Sequence, residues 1–194
     1  MRVGHRSIQA TIIALAIVLA AACRGADGAD RDSASLETPG AWNESMVFGF
    51  ADAAFSLLLD DSEIGARLAR RAQVRQLATR MQRDYRALLA RTDSLSDRRN
   101  VVPRLPAGFD FIRHHRAAAV DLRNEDQRPF DDRYLEHVFT GHQRVMDRMY
   151  EALSAAQDSS VRRLLEDAQQ RIETNLAEAV RLKNLGGRTT SRPR

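Results

Sequence analysis

Apolar residues recur every three or four positions through four long segments, and that rhythm commits the chain to amphipathic helices. In 43–71 they are Val47, Ala51, Ala54, Phe55, Leu58, Gly65 and Ala69. In 74–96 they are Val74, Leu77, Ala78, Met81, Tyr85, Leu88, Leu89 and Leu95. The segment 131–156 carries Tyr134, Val138, His142, Val145, Met149 and Leu153. The segment 161–185 carries Val161, Leu164, Leu165, Ala168, Ile172, Leu176, Ala179 and Leu182. Helices of this size are roughly 30–40 Å long at about 1.5 Å per residue. A one-sided apolar stripe must be buried against another, so the four predict an all-α, antiparallel four-helix bundle.

The punctuation supports this division. Pro103, Pro106 and Gly108 break the chain after the second helix, and a short helix with Phe109, Ile112 and Leu122 is predicted over 109–123. Pro129 prevents its continuation, and Asp131 or Asp132 can cap the next helix. A long link of this kind is a crossover connection, as in ferritin-like bundles. The run Arg70-Arg71-Ala72-Gln73-Val74-Arg75 holds no Gly, Pro or capping residue, so periodicity alone also permits one continuous helix there. The end of the first helix near Ala72 is left open.

The N-terminus reads as an export signal. Arg2 and Arg6 precede the apolar run Ile12–Leu19, which ends in Ala20-Ala21-Ala22-Cys23. The run is short for a membrane span, which needs about 20 residues. Cys23 directly after three alanines resembles a bacterial lipobox, with cleavage before the cysteine and acylation of its thiol and new amine. Several acyl chains would anchor the protein stably, where a single chain binds only marginally. An uncleaved anchor helix and an ordinary signal leaving a free thiol are the alternatives. In lipoproteins of the enterobacterial kind an Asp at the next position marks inner-membrane retention; Arg24 stands there, so the resemblance implies the periplasmic face of the outer membrane. Residues 1–22 are thus expected to be a lipoprotein signal peptide, 23–41 a flexible tether, 42–185 the bundle and 186–194 a disordered basic tail.

Removing residues 1–22 takes away Arg2 and Arg6 and no acid, so the net charge of +4 falls to +2. Charges alternate in sign along the helices, which indicates a solvated surface and no nucleic-acid partner. One cysteine excludes an internal disulfide framework and a multi-cysteine metal site.

Four polar residues stand at or near the apolar stripes: Glu63, Tyr85, His142 and Asn175, one on each long helix. Meeting at one level, they could satisfy one another, which matters because an unpaired buried polar group costs on the order of 1–3 kcal/mol. A structural hydrogen-bond network is the preferred reading. A metal site is the functional alternative, since bundles build such sites from Glu and Glu-x-x-His. No histidine here has a Glu three residues before it, and Tyr and Asn are poor ligands for most divalent ions. A tyrosine that only packs, with a histidine reaching solvent, is a third reading. His114-His115, beside Arg113 and Arg116, are expected on a solvated face, and Glu136-His137 are expected to be exposed. Gly141, mid-helix beside His142, costs about 1 kcal/mol against Ala and could permit close approach. No serine-nucleophile elbow, phosphate loop or dinucleotide fingerprint occurs, so no catalytic residue, cofactor or metal is assigned.

Several stretches together resemble a known family. Glu63-Ile64-Gly65-Ala66-Arg67-Leu68-Ala69, Val74–Met81, Phe130-Asp131-Asp132-Arg133-Tyr134 and Asn175-Leu176-Ala177-Glu178-Ala179 occur in the order and spacing of domain of unknown function 4142. The resemblance covers about residues 43–183. It implies a ferritin-like fold and an exported protein, often a lipoprotein of the outer membrane, with no established activity. The family usually carries Asp-His on the second helix, where this chain has Asp84-Tyr85. It carries Asp-His on the third, where this chain has Gly141-His142, and His-Leu on the fourth, where Asn175-Leu176 stands. If relatives bind metal through those histidines, two of three are missing here. The turn after Ala72 is also about three residues shorter than the family's. The expected function is therefore a lipid-anchored, non-catalytic envelope or stress-related bundle with an unnamed protein partner. A ferritin-like metal-binding or redox bundle with a degenerate site is the alternative.

Overall fold

The computed structural model describes residues 42–107, 109, 111–123 and 128–190. The signal, Cys23, the tether and residues 191–194 lie outside the described residues. Among the described residues five helices form: α1 (Glu44–Leu68), α2 (Ala72–Arg98), α3 (Phe111–Arg123), α4 (Phe130–Ala155) and α5 (Ser159–Thr190). No strand occurs among the described residues, and no helix among them is long and apolar enough to cross a membrane.

Local chemistry sets the boundaries. The Asn43 side chain accepts from the Met46 N–H at 3.0 Å and starts α1. Asp158 accepts from Ser160 and Val161 at 2.7 and 3.1 Å and starts α5. Asn100 adopts φ 52°, and the Val101 N–H reaches back to the Ser96 carbonyl, a left-handed stop for α2.

The break between α1 and α2 has no local cause. Ala69 and Arg71 are extended, and the N–H groups of Arg70 and Arg71 donate to the two carboxylate oxygens of Asp131 at 2.9 and 2.7 Å. Arg71 also holds Asp131 and Asp132 through its guanidinium. Arg75 donates to the Ala69 carbonyl at 2.7 Å, a cation on the C-terminus of α1. Arg162 does the same for Ala156 at the end of α4.

The four long helices pack in a ring, α1 against α2, α2 against α5, α5 against α4 and α4 against α1. Phe48, Phe50 and Phe55 of α1 are fully buried with Met81 and Leu88 of α2, Leu135 and Val138 of α4, and Leu165 and Ile172 of α5. Each such side chain contributes about 1.5–3 kcal/mol by leaving water. Arg99 after α2 bonds Glu44 in the first turn of α1 and Asp158 at the start of α5. At the opposite end, Asp131 in the first turn of α4 bonds the α1–α2 corner. The segment between Arg99 and Asp131 therefore starts at one end of the helices and finishes at the other, and α3 packs on α1 and α4 along the way.

Helix α5 continues through Gly186 to Thr190, past the point where a tail was expected. Gly186 does not act as a stop. A Cβ there would lie 2.5 Å from an Arg71 guanidinium nitrogen, so the glycine gives room to the Arg71–Asp132 pair.

Candidate functional site

Three of the four seam residues meet. The Tyr85 hydroxyl lies 2.6 Å from Nε2 of His142, and the Asn175 amide donates to the same hydroxyl at 3.2 Å. Arg80 donates through Nε to Oδ1 of Asn175 at 3.2 Å. Tyr85 and His142 are fully buried and Asn175 is nearly so. Burial raises the Tyr85 pKa and lowers that of His142 to about 4, so the phenol is protonated and the imidazole neutral. With Asn175 donating to the phenol oxygen, the single phenolic proton must go to Nε2. The His142 proton then sits on Nδ1, which turns toward the Val138 carbonyl short of full hydrogen-bond geometry. The chain of donors thus has one direction, Arg80 to Asn175 to Tyr85 to His142.

Glu63 is not part of it. Its side chain is 46% exposed and accepts from Arg86 at 3.1 Å and from Gln82 at 3.4 Å. The reason is angular. Asp61, two residues earlier and about 200° round the helix, takes the inward place that follows Leu58 on the α1 stripe.

Asp61 anchors a second polar cluster. Its carboxylate lies 2.5 Å from Nε2 of His115 on α3 and 2.9 Å from Nε2 of His137 on α4. The two imidazole rings are 4.4 Å apart between centroids. Asp61 and His115 are 1% and 2% exposed, and the His137 side chain is 8% exposed. Burial pushes the Asp61 pKa up, but hydrogen bonds and charge from His115 and His137 outweigh it, and the net shift is downward. One ligating atom from each of the three lies within 4.8 Å of the others. Two imidazoles and a carboxylate are a donor set that a transition-metal ion accepts.

His115 and His137 are expected in solvent, but His115 is buried and His137 is half-buried with its side chain turned inward. His115 falls on the rhythm Ile112, His115, Ala119, Leu122, which is the inward stripe of α3. His137 lies beside Val138, one turn from Tyr134 and from Gly141. Asp61 continues the spacing of Ala54, Leu57 and Leu58. These signals were present in the sequence, but a pair of adjacent acids and a His-His pair flanked by arginines look like surface. The side chain of His114 lies outside what is described.

Two mid-helix glycines shape the same region. A Cβ on Gly141 would stand 2.5 Å from Cε1 of His115. A Cβ on Gly65 would stand 2.1 Å from Cζ of Tyr134. The Tyr134 hydroxyl is buried without a hydrogen-bond partner among the described residues, and its pKa is raised by burial first and by the charge of Asp61 second.

The model of a domain of unknown function, DUF4142, matches residues 56–182. The chain belongs to the DUF4142 family. No curated protein and no solved structure matches it. The match spans α1 from its second half, α2, α3, α4 and most of α5, and so contains every residue of both polar clusters. Asp84, the acid beside Tyr85, is held by Arg171 of α5 at 3.0 Å. Gly141 stands where the resemblance places an acid, and in this DUF4142 chain the His115 ring uses that space.

Proposed function

We propose that this DUF4142 protein is exported and held by acyl chains on Cys23 at the periplasmic face of the outer membrane. There its helical domain serves as a non-catalytic envelope module, in maintenance or stress, for a protein partner. The observation that carries this reading is the N-terminal order of Arg2 and Arg6, the apolar run Ile12–Leu19, three alanines and Cys23. The non-catalytic half is supported by the seam. Arg80, Asn175, Tyr85 and His142 are joined in series by hydrogen bonds to one another, as in a structural lock. We read the fold as ferritin-like, with the segment from Arg99 to Pro129 as its crossover.

Fractionation of cells expressing the full chain tests the anchoring. The wild type is expected in the membrane fraction and Cys23→Ala in the soluble periplasmic fraction. Membrane association that survives Cys23→Ala, or survives a block of lipoprotein processing, overturns the proposal.

A further inference from the structure

We propose that Asp61, His115 and His137 bind a single first-row transition-metal ion, with zinc(II) as the ion of choice for the test. The site is distinct from the Tyr85–His142–Asn175 seam and does not depend on lipid attachment at Cys23.

The donor chemistry selects the class of ion. Two neutral imidazole nitrogens and one carboxylate suit zinc, iron, cobalt, nickel or copper, whereas calcium and magnesium demand mostly oxygen ligands. The geometry is close to what such an ion needs. Both Nε2 atoms are turned onto the Asp61 carboxylate, at 2.5 and 2.9 Å. A zinc ion with bonds of about 2.0–2.2 Å requires ligand atoms somewhat over 3 Å apart, reached by small side-chain rotations from these positions. Binding replaces the proton on each Nε2 and uses the existing carboxylate charge.

The protein gives up stability to hold these groups together. A buried, ionised carboxylate is expensive to desolvate and is compensated here by two histidines. Gly141 stands inside α4, where alanine has the better intrinsic helix propensity, and the space it leaves is filled by His115. Gly65 stands inside α1 in the same way, and the ring of Tyr134 fills the space that it leaves. The Tyr134 hydroxyl, buried and without a hydrogen-bond partner among the described residues, is a polar group beside the cluster that a metal-bound water could satisfy. Gly65 and Tyr134 are not ligands themselves, and with Gly141 they point to one place between α1, α3 and α4.

The three ligands come from three helices. Asp61 and His137 belong to the bundle, but His115 is on α3, the short helix in the link between α2 and α4. An ion bound to all three would tie α3 to α1 and α4.

The experiment is zinc titration of the purified full chain by calorimetry, with cobalt(II) absorption as a second readout of ligand number. One ion per chain is expected, with micromolar or tighter affinity and a rise in Tm. His115→Gln and His137→Gln keep an amide able to donate to Asp61, so both should remain folded, and each should weaken binding by about tenfold or more. His142→Gln should leave the affinity unchanged. Absence of stoichiometric binding to the folded wild type overturns the proposal. So does zinc affinity that survives either ligand substitution, or that falls in His142→Gln instead. The fold of every variant is checked by helicity and by thermal unfolding without metal.

Discussion

The Tyr85 hydroxyl donates to Nε2 of His142 across 2.6 Å in the closed centre of the bundle, joining α2 to α4. Asn175 joins α5 to the same oxygen. Removing the hydroxyl leaves a buried imidazole nitrogen and a buried amide without partners. Tyr85→Phe is therefore expected to lower stability by about 1–3 kcal/mol. Urea unfolding checks this. A shift below about 0.5 kcal/mol would mean that the seam is packing rather than hydrogen bonding. Asn175→Ala in the Tyr85→Phe background should cost less than in the wild type, because the two share one oxygen.

The same seam dictates a pH response. Burial holds His142 at a pKa of about 4. In the unfolded chain the value is about 6.5. Between these two, the unfolded chain takes up a proton that the folded chain refuses. The contribution to stability is therefore complete above pH of about 6.5 and is lost as pH falls toward about 4, with a ceiling of about 3 kcal/mol. Asp61, His115 and His137 also act on His142 by charge. The Asp61 pKa is lowered on folding, so its own contribution is present above the ordinary carboxylate value and is lost at still lower pH. Thermal unfolding from pH 7.5 to 4 should show the fall, and His142→Gln should flatten it. An equal slope in that variant would move the effect to another group.

Asp131 carries the corner between α1 and α2. Its two oxygens accept the N–H groups of Arg70 and Arg71, and it is almost fully buried. Asp131→Ala should cost about 2–4 kcal/mol, since it strips two backbone donors and the Arg71 guanidinium of their acceptor. Asp131→Asn keeps one acceptor oxygen and should cost less. Chemical denaturation of the two variants beside the wild type decides the order. Equal losses would mean that charge, not the backbone bonds, holds the corner.

That corner also shows where sequence reasoning stopped. The four stripes placed the long helices within a few residues, because each stripe is a local record of which face is buried. The α1–α2 break was left open because its capping group lies 60 residues away, and no local pattern announces a tertiary cap. Tyr85, His142 and Asn175 were legible as polar residues inside apolar stripes. Glu63 was misplaced by choosing the stripe's edge over Asp61 at its centre. The Asp61–His115–His137 cluster escaped because each residue sits in polar company along the chain, and only the approach of α3 to α1 and α4 brings them together.

Gly141 and His115 offer a test in which the sign of an effect reverses. In isolation, Gly→Ala inside a helix stabilises by about 1 kcal/mol. Here the new Cβ would meet Cε1 of His115 at 2.5 Å and Nδ1 at 3.2 Å. The ring is buried between α3 and α4, so it cannot swing aside without moving α3 or breaking its bond to Asp61. Gly141→Ala should therefore destabilise the protein by about 1–3 kcal/mol. With His115→Ala as the background the obstacle is gone, and the same Gly141→Ala change should become neutral or stabilising. The four proteins of this cycle, unfolded in urea without added metal, give the coupling directly. Additive effects would mean that Gly141 is not there to accommodate His115, and that the cost of a side chain at this position is set by something else.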